Sequence, residues 1–235
     1  MVMTDHTSKH YEGALEHARE MFNRMGARVE RQLADAIECL HTGSPALIAQ
    51  IMRHEAEVNS LERAIDDFTR QIIARRQPAA RDLRLLMALL GATTDLERAG
   101  DESKKIALYA RSIFAAGRPL LARVGELWPL AHLVRNMLHE ALVGIEALDP
   151  RSAAALMRRD LEANEGFRSV LRRLARIMVE DPRAISASLD ILFVAKSLER
   201  IGDHAKNIGE HVVFAAMGKD VRHTSVQELE RLVQR

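Results

Sequence analysis

Apolar residues recur every three or four positions along nearly the whole chain, the spacing of amphipathic α-helices. Proline and glycine interrupt that pattern at "HTGSP" (41–45), "RRQPA" (75–79), "AAGRP" (115–119), "ALDPR" (147–151) and "VEDPR" (179–183). Six helical segments of roughly 25 to 35 residues are predicted between these breaks. Such lengths exceed the ordinary globular helix and suit antiparallel bundles joined by short turns. A final stretch, "GKDVRHTSVQELERLVQR", is expected to add a short helix or to fray.

One segment breaks the simple oily-and-polar rule. In "SLERIGDHAKNIGEH" (197–211), Glu199, Asp203, Asn207 and Glu210 gather on one side of a helix, while Leu198, Ile201, Ala205, Ile208 and Val212 gather on the other. Gly202 and Gly209 lie between, each costing about 1 kcal/mol relative to alanine in a helix interior. The same string occurs earlier. "TDLERAGDESKKIA" (94–107) matches "KSLERIGDHAKNIG" (196–209) at an offset of 102, so Glu97, Gly100 and Asp101 correspond to Glu199, Gly202 and Asp203. Upstream, "HEAEVNSLE" (54–62) aligns with "RDLEANEGF" (159–167), pairing Glu55 with Asp160 and Asn59 with Asn164. The turn prolines agree as well, Pro45 with Pro150 and Pro78 with Pro182. The predicted fold is all-α: two tandem, pseudo-symmetric three-helix bundles over residues 1–116 and 117–218, with a tail over 219–235.

Residues four apart on a helix stack on one face, and two carboxylates so placed repel unless a cation lies between them. Glu97/Asp101 and Glu199/Asp203 are such pairs, and Glu55/Asn59 and Asp160/Asn164 offer further oxygens from helices two and five. If helices two and three face each other, and five and six likewise, each repeat assembles an oxygen-only cluster, with Asn207 extending the second. Mg²⁺, Mn²⁺ or iron fit such donors, and Zn²⁺ is less natural without His or Cys. Gly100 and Gly202 are then expected to permit a close backbone approach, and Asp101 and Asp203 to lie at the helix surface. A lone Glu-x-x-x-Asp is usually only solvated surface. Glu62 and Asp66 are read that way, because Phe167 and Leu171 stand at the matching places.

Other groups carry less chemistry. "ECLH" (38–41) has the Glu-x-x-His spacing of di-iron bundles in a single copy at a helix end, and His6, His10 and His17 are read as a polar face. Arg98 and Arg200 are read as partners of flanking ion pairs. Cys39, the one cysteine, is read as a buried, inert thiol of a reducing compartment. Lys and Arg number 34 against 33 Asp and Glu, intermixed, so no nucleic-acid arm is visible. Without an apolar leader or a bilayer-length apolar run, a cytoplasmic location is expected. Neither a phosphate loop nor a nucleophile elbow is present.

The doubled "LERxGD" string, "RQPAARDLR" (76–84) and "HEAEVNSLERAID" (54–66) resemble the PhoU family, from about residue 10 to 217. The resemblance implies two similar three-helix bundles that bind metal clusters, iron foremost, through Glu97, Asp101, Glu199 and Asp203. It also implies a cytoplasmic, non-enzymatic negative regulator of phosphate uptake, expected as a homodimer. Its partners would be the ATP-binding subunit of the high-affinity phosphate transporter and a phosphate-sensing histidine kinase, and it would reach the membrane only through them. Where the second copy has Asn207 the first has Lys105, and Asp160 replaces Glu55, so the two sites are expected to differ. A carboxylate-bridged di-metal enzyme or a metal-storage bundle is the alternative reading.

Overall fold

A computed structural model of the chain describes residues 3–115 and 120–234, with side chains from residue 10 onward. Seven α-helices form among the described residues, with no strand: α1 (Met3–Thr42), α2 (Pro45–Arg76), α3 (Ala80–Ala115), α4 (Leu127–Ala147), α5 (Pro150–Glu180), α6 (Ile185–Met217) and α7 (Val226–Val233). The expected boundary between residues 116 and 117 lies outside the described residues, as does the side chain of His6. The tail does not simply fray. Ser225 and Glu228 cap α7 reciprocally, and Leu229 is buried with Val221, Val213 and Ala153.

Helix lengths are less uniform than the breaks suggest, from 40 residues in α1 to 21 in α4. α4 is short because the chain first makes a 3₁₀ turn at Leu121–Arg123, which buries Leu120, Leu121 and Val124. The two α-to-α turns that precede α2 and α5 are built alike. Ser44 and Asp149 each precede a proline at the first helical position, and their side chains accept from the amides of Leu47 and Arg151. A proline there has no amide to leave unpaired, and the cap satisfies an amide that the helix cannot.

α1, α2 and α3 pack on one another, as do α4, α5 and α6, and the most extensive contact in the molecule is between α3 and α6. That contact explains a departure from the two-faced helix read from the sequence. α6 buries Leu198, Ile201, Ala205, Ile208 and Val212 as expected, and it also buries Ser197, Glu199, His204, Gly209 and Glu210. It is surrounded by α3, α4 and α5. A single continuous apolar core runs through both repeats.

Candidate functional site

The first acidic cluster forms where α2 faces α3. Glu55, Glu97 and Asp101 each bring one carboxylate oxygen to within 4.8 Å of the others. Among the described residues no other group of three His, Cys, Asp or Glu side chains is so close. Asp101 is half-exposed, as expected of a carboxylate near the surface, while Glu55 is only 5% exposed. Lys104 Nζ donates to Asp101 Oδ1 at 2.9 Å and to Glu55 Oε1 at 3.3 Å, so an ammonium stands between the carboxylates. Asn59 Nδ2 donates to Glu55 Oε1 at 3.4 Å.

Beneath the cluster lies Gln32 of α1, fully buried. Its Nε2 donates to Glu55 Oε2 at 3.0 Å and to the Gly100 carbonyl at 2.9 Å, while its Oε1 has no hydrogen-bond partner. Asn59 Oδ1 is buried and unpaired as well. Burial and the neighbouring Asp101, Glu62 and Glu55 raise the Glu97 carboxyl above its ordinary value. Asp101 moves the other way: burial opposes ionisation, and the hydrogen bond and charge of the Lys104 ammonium outweigh it. Glu62, read from the sequence as inert surface, is half-buried and contributes to the field at Glu97.

The second cluster occupies the equivalent place between α5 and α6. Asp160 and Glu199 are buried, and Asp203 is half-exposed. Asn164 Nδ2 donates to the Asp160 carbonyl at 2.9 Å and to its carboxylate at 3.4 Å. Lys206, the counterpart of Lys104, lies 3.8 Å from both Asp160 and Asp203. Lys196 donates to Glu199 Oε2 at 2.6 Å. Burial raises the Asp160 carboxyl to about 6; Lys206 opposes the shift, and Asp203 and Glu199 add to it.

Asn207 does not extend this cluster. Its Nδ2 donates to Asp95 Oδ1 at 3.0 Å, across the interface with α3. Asp95 also meets His204 Nδ1 at 2.9 Å and His211 Nε2 at 3.3 Å. Two helical turns along α3, Glu102 accepts from Ser197 Oγ at 2.8 Å and pairs with Arg200 and Lys105. Arg200 forms an ion pair, with buried Glu102 across the interface rather than with a flanking acid. Asp95 and Glu102 went unremarked in the sequence because nothing in α3 alone says which face meets α6.

The glycines have different neighbours from those expected. A Cβ at Gly100 would sit 3.6 Å from Gln32 Oε1 and 3.7 Å from Glu55, and one at Gly202 would sit 3.5 Å from Met137, all ordinary contacts with side chains. The close backbone approach is at Gly209, where a Cβ would lie 3.2 Å from Ala153 Cα. Of the minor candidates, His41 stacks on Trp128 with ring centroids 4.0 Å apart, His17 meets Phe68 edge-on, and Glu38 and His10 are exposed. Cys39 is buried and its thiol is pushed up to about 11, chiefly by burial.

An all-oxygen set of three close carboxylates beside two unpaired buried amide oxygens suits a hard cation. The chain matches the PhoU domain over residues 22–110 and 127–212. It is 41% identical over 225 residues to a Burkholderia sp. protein named phosphate-specific transport system accessory protein PhoU homolog, spanning 95% of this chain and 96% of that one. Identity to the Escherichia coli (strain K12) phosphate-specific transport system accessory protein PhoU is 36%, over 98% of this chain and 95% of that one. The crystal structure of PhoU from Pseudomonas aeruginosa superposes with a TM-score of 0.84 at 36% identity, covering 89% of this chain and all of that one. The phosphate transport system regulatory protein PhoU from Streptococcus pneumoniae has the same fold, with a TM-score of 0.82 at 21% identity over 90% of this chain and 99% of that one.

Proposed function

The chain belongs to the PhoU family, and from that premise we propose that it is a cation-binding accessory regulator of phosphate transport. The observation that carries the regulatory half is correspondence over essentially the full length of both chains with proteins named as accessories of the phosphate-specific transport system. In this reading the protein acts in the cytoplasm on the transporter's ATP-binding subunit and on a phosphate-sensing histidine kinase, and holds phosphate-starvation genes off when phosphate is plentiful. Among the described residues no helix is long and apolar enough to cross a membrane, so membrane association would be through the transporter. The proposed assembly is a homodimer, which light scattering at micromolar concentration checks.

The cation-binding half is supported by the first cluster. Three carboxylates held within 4.8 Å by two packed helices repel one another, and Lys104 offsets only part of that repulsion. A divalent ion, with iron or manganese foremost, would take Glu55, Glu97 and Asp101 as ligands and supply the missing positive charge. No bond-making role is assigned to it, and the protein is read as a regulator without catalytic activity.

Two measurements test the reading. Deleting the gene should switch on starvation genes in phosphate-rich medium, and supplying the wild-type chain should switch them off again. Normal repression in the deletion strain, with no second copy of the gene present, would overturn the regulatory reading. Purified protein should take up Mn²⁺ or Fe²⁺, and Asp101→Ala should reduce that uptake while the helical spectrum is kept. An unchanged metal content in the variant would remove the cation-binding half.

A further inference from the structure

Superposing the two repeats in sequence aligns their clusters residue by residue, and the structure preserves the alignment. The nearest side chains to Gly100 are those of Gln32, Val58 and Glu55; the nearest to Gly202 are those of Met137 and Ala163. Met137 and Ala163 stand 105 positions after Gln32 and Val58, the offset that also relates Pro150 to Pro45. Differences between the clusters are therefore substitutions at equivalent places.

Four of them disfavour a cation in the second cluster. Gln32, with its unpaired buried amide oxygen, is replaced by Met137, a thioether that hard cations disfavour. Thr94 is replaced by Lys196, whose ammonium takes Glu199 Oε2 at 2.6 Å. Glu62, which adds negative field at Glu97, is replaced by Phe167, and Lys196 lies over that ring at 5.4 Å. Glu55 is shortened to Asp160, which reduces reach across the helix pair. Three carboxylates face one ammonium in the first cluster and two in the second.

We infer that the repeats have diverged into one cation site, formed by Glu55, Glu97 and Asp101 and positioned by Gln32, and one copy unsuited to a cation, in which Lys196 holds Glu199 and Met137 stands in the place of Gln32. This rests on the cation-binding reading above and specifies which half of the chain carries it. Gln32 acts through Glu55: by donating to Oε2 and to the Gly100 carbonyl it fixes that carboxylate against α3, which leaves Oε1 facing Lys104 and Asn59. Met137 can do neither, and Asp160 has only the longer Lys206 contact and Asn164.

The test is Mn²⁺ titration of the metal-free full-length chain, followed by electron paramagnetic resonance, with circular dichroism to monitor folding. Glu97→Gln with Asp101→Asn, and separately Gln32→Met, should weaken binding at least tenfold. Glu199→Gln with Asp203→Asn should bind within twofold of wild type. The reciprocal variant Met137→Gln with Lys196→Thr should gain bound Mn²⁺ beyond the wild-type stoichiometry, a readout that no loss of folding can imitate. Equal losses from the two carboxylate variants, or a Gln32→Met chain that is folded and binds as wild type, would overturn the divergence while leaving the cation-binding reading intact. A wild-type chain that binds no Mn²⁺ would overturn both.

Discussion

Asp95 of α3 and His204 of α6 meet at 2.9 Å in the buried seam between the repeats, and the positions that correspond to them in the other repeat, Ser197 and Glu102, meet at 2.8 Å. The pseudo-twofold axis thus maps an acid–imidazole pair onto a hydroxyl–acid pair. Both rivet the same two helices. The Asp95 side is the more demanding, because three donors converge on one buried carboxylate.

Removing that carboxylate should therefore be costly. Burial alone would raise the Asp95 carboxyl, but hydrogen bonds from His204, His211 and Asn207 hold it well below the usual carboxylate range. A depressed folded-state value means the unfolded chain binds the proton more readily, so this stability is present above the unfolded value near 3.8 and is lost as pH falls below it. Asp95→Ala is expected to cost on the order of 3 kcal/mol at neutral pH, and Ser197→Ala about 1 kcal/mol. Urea unfolding monitored by circular dichroism checks both, and equal costs would contradict the ranking.

The second cluster predicts the opposite pH slope. Asp160 is raised to about 6 from 3.8, so the folded chain retains the proton longer and stability falls as pH rises between those values. Asp160→Asn abolishes that loss. In metal-free protein above about pH 7 it should stabilise by on the order of 1–3 kcal/mol and flatten the decline through the window. A destabilised Asp160→Asn chain at that pH would show that the carboxylate is ionised at no cost.

Lys104 is the internal counter-ion of the first cluster, and a metal must displace it. Lys104→Met leaves Glu55 and Asp101 without their ammonium. The metal-free variant should lose on the order of 1–3 kcal/mol. Its Mn²⁺ affinity should rise, because nothing positive remains to be displaced. Calorimetric titration that gave weaker binding would instead make Lys104 an organiser of the ligands.

Two glycines on one helix should answer differently to the same substitution. At Gly202 the nearest groups to a new Cβ are 3.5 to 3.7 Å away, so Gly202→Ala should be neutral or stabilise by about 0.5–1 kcal/mol through helix propensity. At Gly209 the Ala153 backbone is at 3.2 Å and Leu156 Cδ1 at 2.9 Å. Gly209→Ala must push α5 away from α6 and should cost about 1–3 kcal/mol. Thermal melts of the pair decide the matter, with a lower melting temperature for Gly202→Ala as the contrary result.

The contrast shows what a linear pattern can carry. Helix breaks and the offset repeat follow from periodicity and from Pro45, Pro78, Pro150 and Pro182, all of them local signals. The carboxylates Glu55, Glu97 and Asp101 were legible because they recur. Gln32 was not, since it lies on α1, outside the repeated string, and its counterpart Met137 shares no chemistry with it. Asn207 was misplaced for a related reason. Successive i, i+4 steps drift around the helix, and by Asn207 the row has turned from α5 toward α3, a neighbour that α6 alone does not announce. The glycine reading failed because low helix propensity flags a constraint without naming its partner.

The seam between α3 and α6 also bears on what the halves would do apart. Each three-helix unit, expressed alone, would have an uncovered α3 or α6 face, and the symmetric way to cover it is with a second copy of itself. Two first halves so joined would bring Asp95 against the other copy's Glu102, two buried acids with neither imidazole nor hydroxyl between them. Unlike halves avoid that clash, since His204 answers Asp95 and Ser197 answers Glu102. A gene split within the linker should accordingly yield fragments that seek each other in preference to their own kind, and the covalent link serves mainly to keep matched halves in equal number.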